Sequence, residues 1–242
     1  MSAETILQDI TESMPLSKTV LDLSSSGQGF GLIIVDEVNG FATVGAGNLA
    51  PLVPNEQVSV MVSETDRLAR SFTKQAMPIL AFLDTHDSGK PQPPYPPHCE
   101  QGTGEDELVP ELKWLEQAEA VTLMQKDCIN GFIGALGPKG DNKLVEWVKR
   151  HRLNAVIVVG ICTDVCVMDF VLTLLSARNH ELIPTLQDIV VYEPGCATYD
   201  MSKEAATAIG LPETAAHPQH VTHHLGLYFM ASRGALLADE LI

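Results

Sequence analysis

The sequence predicts an α/β protein with a three-layer α/β/α arrangement, in which helices cover both faces of a central, mostly parallel sheet. Short β-branched apolar runs alternate along the chain with longer segments of helical period. The apolar runs contain almost no polar residues, which is typical of parallel strands buried on both faces. A hydrophobic fraction of 45% over 242 residues is enough for one large core, so we expect a single domain at 1–242.

Five strands and six helices follow from this alternation. The strands are predicted at 29–36, 78–84, 120–125, 154–160 and 189–192. The helices are predicted at 55–74, 108–115, 142–152, 165–178, 202–209 and near 218–230. Because parallel strands point the same way, we expect their carboxyl ends to share one edge of the sheet.

The segment 88–104 (SGKPQPPYPPHCEQGTG) differs in composition from the rest of the chain. Its five prolines exclude a helix or a central strand, so it is predicted to be a loop. A rigid loop at the carboxyl edge of a parallel sheet is well placed to build a site, but a plain surface connection has the same composition.

Charge and cysteine content exclude several classes of protein. The formal net charge of -16 would repel a phosphate backbone or an anionic membrane surface, so neither nucleic acid nor a membrane is an expected partner. We find no long uncharged apolar run and no signal-peptide pattern at the N-terminus, and therefore expect a soluble protein of the cytoplasm, with the nucleus as a second compartment. The five cysteines are expected to be free thiols, because their number is odd and their spacing is irregular.

Cys166 follows the fourth predicted strand in the segment GICTDVCVMDF, where Thr163 and Asp164 are good N-cap residues for an apolar helix. A thiol in the first helical turn feels the positive end of the helix dipole, which lowers its pKa and offers N–H donors to an oxyanion. For a lone cysteine at such a junction, a buried structural role is the commoner alternative.

Two charged residues at other strand ends favour the catalytic alternative. Asp36 closes the first predicted strand and Lys126 follows the third, so both are expected on the same edge of the sheet as Cys166. A carboxylate there can act as a base, and an ammonium favours a neighbouring thiolate. Each could instead be a solvated charge at a strand end, but three complementary groups at one edge are less readily explained by chance.

A candidate metal site lies at the end of the second predicted strand. Asp84 and His86 follow that strand, and His98 lies in the proline-rich loop. One carboxylate and two imidazoles suit Zn²⁺ or another divalent transition metal and leave coordination positions open. By spacing alone this pattern is common, so surface or core histidines remain an alternative.

Three other patterns are set aside. The segment 45–50 (GAGNLA) matches a dinucleotide-binding pattern, but it runs into Pro51 instead of opening a helix. Cys162 and Cys166 have no second cysteine pair at metal-ligand spacing, so a structural zinc site is not expected. The late histidines, at 217, 220, 223 and 224, are interpreted as residues on a helix face.

Taken together, these motifs resemble those of the isochorismatase-like cysteine hydrolases, and within them the nicotinamidases, most closely those of plants. The segment IIVDEVNGF (33–41) is similar to the family's first-strand motif with the catalytic aspartate, and FLDTHD with YPPHC to its metal-site motif. Lys126 falls at the catalytic lysine, and GICTDVCV (160–167) is similar to the nucleophile motif. The resemblance spans most of the chain and implies the isochorismatase-like hydrolase fold.

The resemblance implies hydrolysis of nicotinamide to nicotinic acid and ammonia in NAD salvage. Cys166 would attack the carboxamide, Asp36 would carry the proton and Lys126 would stabilise the charges. The backbone N–H groups of Cys162 and Cys166 would form the oxyanion hole, with a non-proline cis peptide before Cys162. The product of the first step would be a thioester.

In such enzymes a metal holds the pyridine nitrogen, which implies a divalent transition metal, Zn²⁺ first of all. Its ligands here would be the Asp84, His86 and His98 side chains. The residues expected to contact the substrate are Asn39, Phe41 and Tyr95. A homo-oligomer is compatible with this resemblance.

Two alternatives stay open. A related cysteine hydrolase of another small amide, such as a carbamoyl or ureido compound, would need the triad without the metal. A catalytically silent binding protein of the same fold would have an unreactive Cys166. An isochorismate-type vinyl ether hydrolase is disfavoured, because those relatives lack the cysteine nucleophile.

Overall fold

The computed structural model describes residues 3–23, 29–90, 92–208 and 210–242. Seven strands in these residues form one sheet, in the order β1-β7-β6-β5-β2-β3-β4. They are β1 (Lys18–Leu21), β2 (Phe30–Val35), β3 (Ile79–Asp84), β4 (Val121–Lys126), β5 (Ala155–Ile161), β6 (Asp188–Ala197) and β7 (Leu236–Leu241). Every neighbouring pair is parallel, which confirms the predicted parallel sheet.

Helices lie on both faces of this sheet. They are α1 (Ala3–Ser13), α2 (Asn39–Ala42), α3 (Glu56–Lys74), α4 (Gly131–Gly134), α5 (Lys143–Arg150), α6 (Met168–Asn179), α7 (Lys203–Ala208) and α8 (Gln219–Ala231). Short 3₁₀ segments at Pro110–Gln117 and Glu213–Ala215 and a π-helical turn at Thr163–Val167 complete the described elements. None of these helices has both the length and the apolar character that crossing a bilayer requires.

Alternate residues of the strands supply two separate cores. In β2, Ile33 and Val35 pack with Trp147 of α5 and Phe170 of α6. Leu32 and its alternate neighbours pack on the other face, in a cluster that contains Phe72 of α3 and Leu112 of the first 3₁₀ segment. Successive side chains of a strand point to opposite faces, so the two clusters define the three-layer arrangement that the sequence predicts.

All five predicted strands are present, and the differences have local causes. Strand β6 continues past the predicted end at 192 through Glu193, Pro194 and Gly195, which interrupt its apolar run. The short, largely exposed β1 and the charged β7 were not predicted, because neither has a continuous apolar pattern. The segment predicted as a helix at 108–115 is the 3₁₀ segment that begins at Pro110. Two residues of the predicted elements lie outside the described residues: 209, the last of the predicted helix 202–209, and 91, in the predicted loop.

The five cysteines are all free, as expected from the sequence. Cys99, Cys166 and Cys196 are buried, and Cys128 and Cys162 are partly buried.

Glu37, directly after Asp36, is a buried acid on the α3 side of the sheet. Its Oε1 accepts a hydrogen bond of 2.6 Å from Thr65 Oγ1, while Oε2 has no hydrogen-bond partner among the described residues. Burial raises the pKa of Glu37 well above its ordinary value, and the hydrogen bond from Thr65 opposes this only in part. The folded state therefore keeps Glu37 protonated at pH values where the unfolded chain would ionise it.

We expect Glu37→Gln to make the stability of the protein less dependent on pH. Because the folded-state pKa of Glu37 is raised, its stabilising contribution is complete below its unfolded-state pKa of about 4.3 and is lost as the pH rises through the folded-state value. Denaturant unfolding between about pH 5 and pH 8 should show a smaller decline of the free energy of unfolding for the variant than for the wild type.

The control for this measurement is Glu116→Gln, at an exposed glutamate of the first 3₁₀ segment. It should reproduce the wild-type pH dependence. Parallel curves for Glu37→Gln and the wild type would contradict the assignment of a neutral, buried Glu37.

Candidate active site

Four neighbouring strands place the predicted catalytic and metal residues at one edge of the sheet. The order β5-β2-β3-β4 brings together the segments that carry Cys166, Asp36, Asp84 and Lys126, each at or just beyond a carboxyl end. Asp84 and Lys126 are direct register partners, and the N–H of Asp36 donates to the Phe82 carbonyl at 3.1 Å. Parallel pairing thus brings residues that are far apart in sequence within contact distance.

Lys126 is the centre of the site. Its Nζ lies 2.8 Å from Asp36 Oδ2 and 2.8 Å from Asp84 Oδ1, and all three side chains are buried. Nζ also donates to the Cys128 carbonyl at 2.8 Å. Burial alone would lower the pKa of Lys126, but the carboxylates of Asp36 and Asp84 raise it well above its ordinary value. The side chain is therefore a permanent ammonium.

Asp36 has the properties of a general base. Burial, together with the nearby Asp84, raises the pKa of Asp36 to about 7 against the opposing charge of Lys126. The carboxyl interacts with the Cys166 thiol as well as with Lys126. The backbone of Asp36 has a φ of 56°, a left-handed conformation that aspartate adopts more readily than most residues. A carboxyl with a pKa near neutrality can take up and return a proton at physiological pH.

The Cys166 thiol differs from the sequence-based expectation. Burial raises the pKa of Cys166 well above its ordinary value, and Lys126 lowers it only in part. Cys166 does lie at a helix start, in the π-helical turn that leads directly into α6. The expectation of an acidic thiol is nevertheless wrong, because the effect of burial outweighs the favourable charge of Lys126. The N–H groups of Val165 and Val167 are both already bonded to the Cys162 carbonyl, at 3.0 and 3.1 Å. The thiol is therefore protonated at rest and needs a base when it reacts.

The chain enters this turn through a cis peptide. The Ile161 to Cys162 bond is cis, as the resemblance implies. Gly160 precedes it with a φ of 130°, and a Cβ built on it would lie only 2.1 Å from the Val35 carbonyl oxygen. Only glycine allows β5 to approach β2 so closely at this point. The oxyanion-hole role of the Cys162 and Cys166 N–H groups stays a prediction.

The three predicted metal ligands converge. The ligand atoms of Asp84, His86 and His98 all lie within 4.8 Å of one another, and the three side chains are buried. Asp84 Oδ2 is 2.9 Å from His86 Nε2 and 3.3 Å from His98 Nε2. Burial favours a neutral Asp84, but Lys126 and the two imidazoles outweigh it and hold the pKa of that carboxyl well below its usual range.

The surroundings of these ligands suit a divalent transition metal. His98 Nδ1 donates to the Pro96 carbonyl at 2.7 Å, so Nε2, which faces Asp84, is the ring nitrogen that would bind an ion. Two backbone bonds hold the loop in place, from the His86 N–H to the Cys99 carbonyl and from the Gln101 N–H to the His86 carbonyl, both at 2.9 Å. One ionised oxygen and two nitrogens form a donor set that zinc accepts, and they leave positions for a substrate atom or water.

Two of the three predicted substrate-contact residues lie beside this metal set. The ring centroid of Phe41 is 5.6 Å from that of His98, and the Tyr95 ring is 6.0 Å from it. Asn39 is placed differently, because its Nδ2 donates to the Gly104 carbonyl at 2.9 Å and its Oδ1 accepts from Thr43 at 2.7 Å. Its amide ties the α2 turn, which carries Phe41, to the neighbouring loop.

One residue was misinterpreted from the sequence. His217 lies before α8 and not on its face, and it forms an ion pair with Asp164 of the π-helical turn at 2.7 Å. The other late histidines do belong to α8. The N-cap pattern at Thr163 and Asp164 was the only signal near this pair, and it indicated a capping role, not a partner 53 residues away.

Comparison with known proteins identifies the family. The model for the Isochorismatase domain matches residues 31–216. This chain belongs to the isochorismatase family. Within this family it is 48% identical over 238 residues to Nicotinamidase 1 of Arabidopsis thaliana, an alignment that covers 98% of this chain and 97% of the relative.

Solved structures show the same isochorismatase-like fold. A nicotinamidase from Bacillus subtilis matches with a TM-score of 0.64 at 22% identity and covers 88% of this chain and 100% of its own. A pyrazinamidase from Pyrococcus horikoshii in complex with zinc matches with a TM-score of 0.57 at 21% identity, covering 86% of this chain and 98% of its own.

We expect Lys126→Met to destabilise this isochorismatase-family chain and to slow the reaction of Cys166 with iodoacetamide. Removing the ammonium leaves Asp36 and Asp84 buried without their partner, which costs about 3–5 kcal/mol. It also raises the pKa of Cys166 further, because the charge that opposes the effect of burial is lost while both carboxylates remain. Denaturant unfolding and mass spectrometry of the Cys166 peptide measure the two effects.

Lys113→Met is the matched control, since Lys113 is exposed and forms an ion pair with the exposed Glu107, at 2.6 Å. It should change neither quantity appreciably. A Lys126→Met protein that is folded by circular dichroism and alkylated at the wild-type rate would contradict the role of the ammonium.

Proposed function

We propose that this chain hydrolyses nicotinamide to nicotinic acid and ammonia through a thioester on Cys166, as a step of NAD salvage. The observation that carries the proposal is the position of the Lys126 ammonium, 2.8 Å from both Asp36 and Asp84. This ammonium connects Asp36, the proposed base, to Asp84, a proposed metal ligand, and all three side chains are buried. The 48% identity to the Arabidopsis nicotinamidase supports the same substrate.

In the first half-reaction the sulfur of Cys166 attacks the carboxamide carbon while Asp36 accepts the thiol proton. Asp36 suits this transfer because its pKa of about 7 allows both protonation states near neutral pH. The oxyanion of the tetrahedral intermediate would be stabilised by the N–H groups of Cys162 and Cys166. The C–N bond then breaks, and the proton on Asp36 leaves with the nitrogen as ammonia.

In the second half-reaction a water molecule attacks the thioester carbonyl. Asp36 takes a proton from this water, the C–S bond breaks and nicotinic acid forms. The proton returns to the sulfur of Cys166, which restores the resting thiol. Lys126 keeps its charge throughout, and it stabilises the negative charge as this moves between the sulfur and the Asp36 carboxylate.

Asp84, His86 and His98 would hold the divalent metal, and we propose Zn²⁺ from the donor set and from the zinc in the Pyrococcus horikoshii structure. When bound, the ion supplies a Lewis-acid site for the lone pair of the pyridine nitrogen. Phe41 and Tyr95 would flank the ring. We propose that Asn39 acts by positioning the Phe41 turn, since its amide bonds lie within the protein. The single-domain assignment at 1–242 and the cytoplasmic location stay predictions.

Ammonia release from nicotinamide tests this proposal directly. With Zn²⁺ supplied, we expect the wild-type protein to release ammonia and Cys166→Ala to release none above the uncatalysed rate. No release by the wild type would overturn the nicotinamide assignment. In that case, release of ammonia from a carbamoyl or ureido compound would favour a related cysteine hydrolase. A Cys166 thiol that reacts with no substrate would favour the catalytically silent binding protein.

We expect His86→Ala to raise KM for nicotinamide more than it lowers kcat, because the His86 side chain contacts Asp84 and His98 while Asp84 also binds Lys126. Asp84→Ala should lower kcat as well, since it removes a carboxylate from the Lys126 ammonium. Steady-state kinetics with a saturating metal concentration separates the two variants. A loss for His86→Ala that lies entirely in kcat would contradict a substrate-anchoring role for the metal.

A further inference from the structure

The π-helical turn that carries Cys166 is held from outside the catalytic pocket by a second polar cluster. This cluster consists of Asp164 in the turn, Thr198 after β6, and His217 before α8. Asp164 Oδ1 accepts a hydrogen bond of 2.6 Å from Thr198 Oγ1, and Asp164 Oδ2 lies 2.7 Å from His217 Nε2. Neither Asp164 nor His217 has a role in the chemistry described above.

Both ring nitrogens of His217 face acceptors. Nε2 faces the Asp164 carboxylate, and Nδ1 lies 2.8 Å from the Tyr199 carbonyl oxygen. A neutral imidazole has one donor and one acceptor, so it cannot satisfy both contacts, whereas an imidazolium donates to both. Burial opposes the charge, but Asp164 outweighs it and raises the pKa of His217, with a smaller contribution from Asp200. Asp164 correspondingly has a lowered pKa.

Helix α8 supports the same turn at two further points. His223 Nδ1 is 2.8 Å from Thr163 Oγ1, and burial lowers the pKa of His223 to about 4, so this ring is neutral. A Cβ on Gly226 would lie 2.9 Å from Asp164 Cα, which shows how closely the helix packs on the turn. Two histidines in different protonation states therefore contact neighbouring residues of this turn. The imidazolium of His217 contacts Asp164, and the neutral ring of His223 contacts Thr163.

The cluster is anchored in the rest of the fold. The Thr198 carbonyl accepts a hydrogen bond of 2.6 Å from Gln219 Nε2, and the Thr198 N–H donates to Gln57 Oε1 at 2.9 Å. The His217 backbone exchanges two hydrogen bonds with Met201, at 2.7 and 2.9 Å. The His217 ring also stacks on Tyr199, with centroids 3.8 Å apart. His217 is consequently fixed on a rigid support, which is what a residue needs in order to position another.

We propose that His217 is a positioning residue of the reaction: as an imidazolium between Asp164 and the Tyr199 carbonyl, it fixes the nucleophile turn so that Cys166 faces Asp36 and Lys126. The inference rests on Cys166 as the nucleophile of the proposed function. Asp164 lies two residues before Cys166 and two after Cys162, so a shift of its carboxylate displaces both the sulfur and the proposed oxyanion-hole N–H groups. Thiol attack is sensitive to such shifts, since a displacement of about 1 Å costs on the order of 10²-fold in rate.

The first test is His217→Gln, which removes the positive charge and replaces the two separate donor nitrogens of the ring with the single nitrogen of an amide. We expect kcat for nicotinamide to fall by on the order of 10²-fold, with KM little changed, because the metal ligands and the aromatic residues lie in other segments. Alkylation of Cys166 by iodoacetamide, followed by mass spectrometry of its peptide, should slow as well. His220→Gln is the matched control, at an exposed histidine in the first turn of α8, and should leave both measurements at wild-type values.

A double-mutant cycle shows whether His217 acts through Asp164. Asp164→Asn alone should produce a comparable loss, and the double variant should lose no more than the larger single loss, because both changes remove one interaction. Additive losses would overturn the proposal. A variant that is only less stable would keep the wild-type kcat and alkylation rate well below its thermal midpoint, and that result would overturn it too.

Two further results keep the inference separate from the proposed substrate. If the wild type releases no ammonia from nicotinamide, the Cys166 alkylation rates of the same variants still decide the positioning role. Nitrogen NMR of histidine-labelled protein at neutral pH should show both ring nitrogens of His217 protonated, with the signals assigned through His217→Gln. A neutral His217 ring would overturn the proposal.

Discussion

The ammonium of Lys126 lies between two buried carboxylates, Asp36 and Asp84, and the arrangement of the site depends on this contact. A buried charge is tolerated only when it is paired, and here one cation compensates acids from two neighbouring strands. Strands β2, β3 and β4 can meet these distances only if their carboxyl ends are level, which the parallel register provides. The same contact therefore constrains the fold locally and joins the two halves of the site.

The surroundings of Asp36 and Asp84 shift the pKa values of these two carboxyl groups in opposite directions. Asp84 receives the ammonium and two imidazoles, so it remains an anion and suits a metal ligand. Asp36 is more deeply buried and has fewer favourable contacts, so it titrates near neutrality and suits a proton carrier. Cys166 is buried beside both acids and stays protonated until a base accepts its proton. A thiol that stays protonated in the absence of substrate reacts slowly with other electrophiles.

The sequence contains enough information to predict the parallel sheet and the convergence of Asp36, Asp84 and Lys126. Each of these residues closes a largely apolar run, and topology places the ends of such runs at one edge. The elevated pKa of Cys166 could not be predicted in this way, because it depends on how far the turn is buried and on which N–H groups are already bonded. The contact of His217 with Asp164 was equally hidden, since nothing in the local pattern around residue 217 indicates where the segment before α8 packs. Strand β1 was not predicted from the sequence, because its side chains are mostly exposed and it has no apolar run.

The most direct test of the account is a search for the covalent intermediate. Wild-type protein mixed with nicotinamide in the presence of Zn²⁺ and quenched with acid within one turnover should carry one nicotinoyl group on the peptide that contains Cys166, detected by mass spectrometry. The adduct should be absent from Cys166→Ala and should disappear when the substrate is exhausted. Release of ammonia without an adduct at Cys166, or an adduct at another residue, would contradict the assignment of Cys166 as the nucleophile.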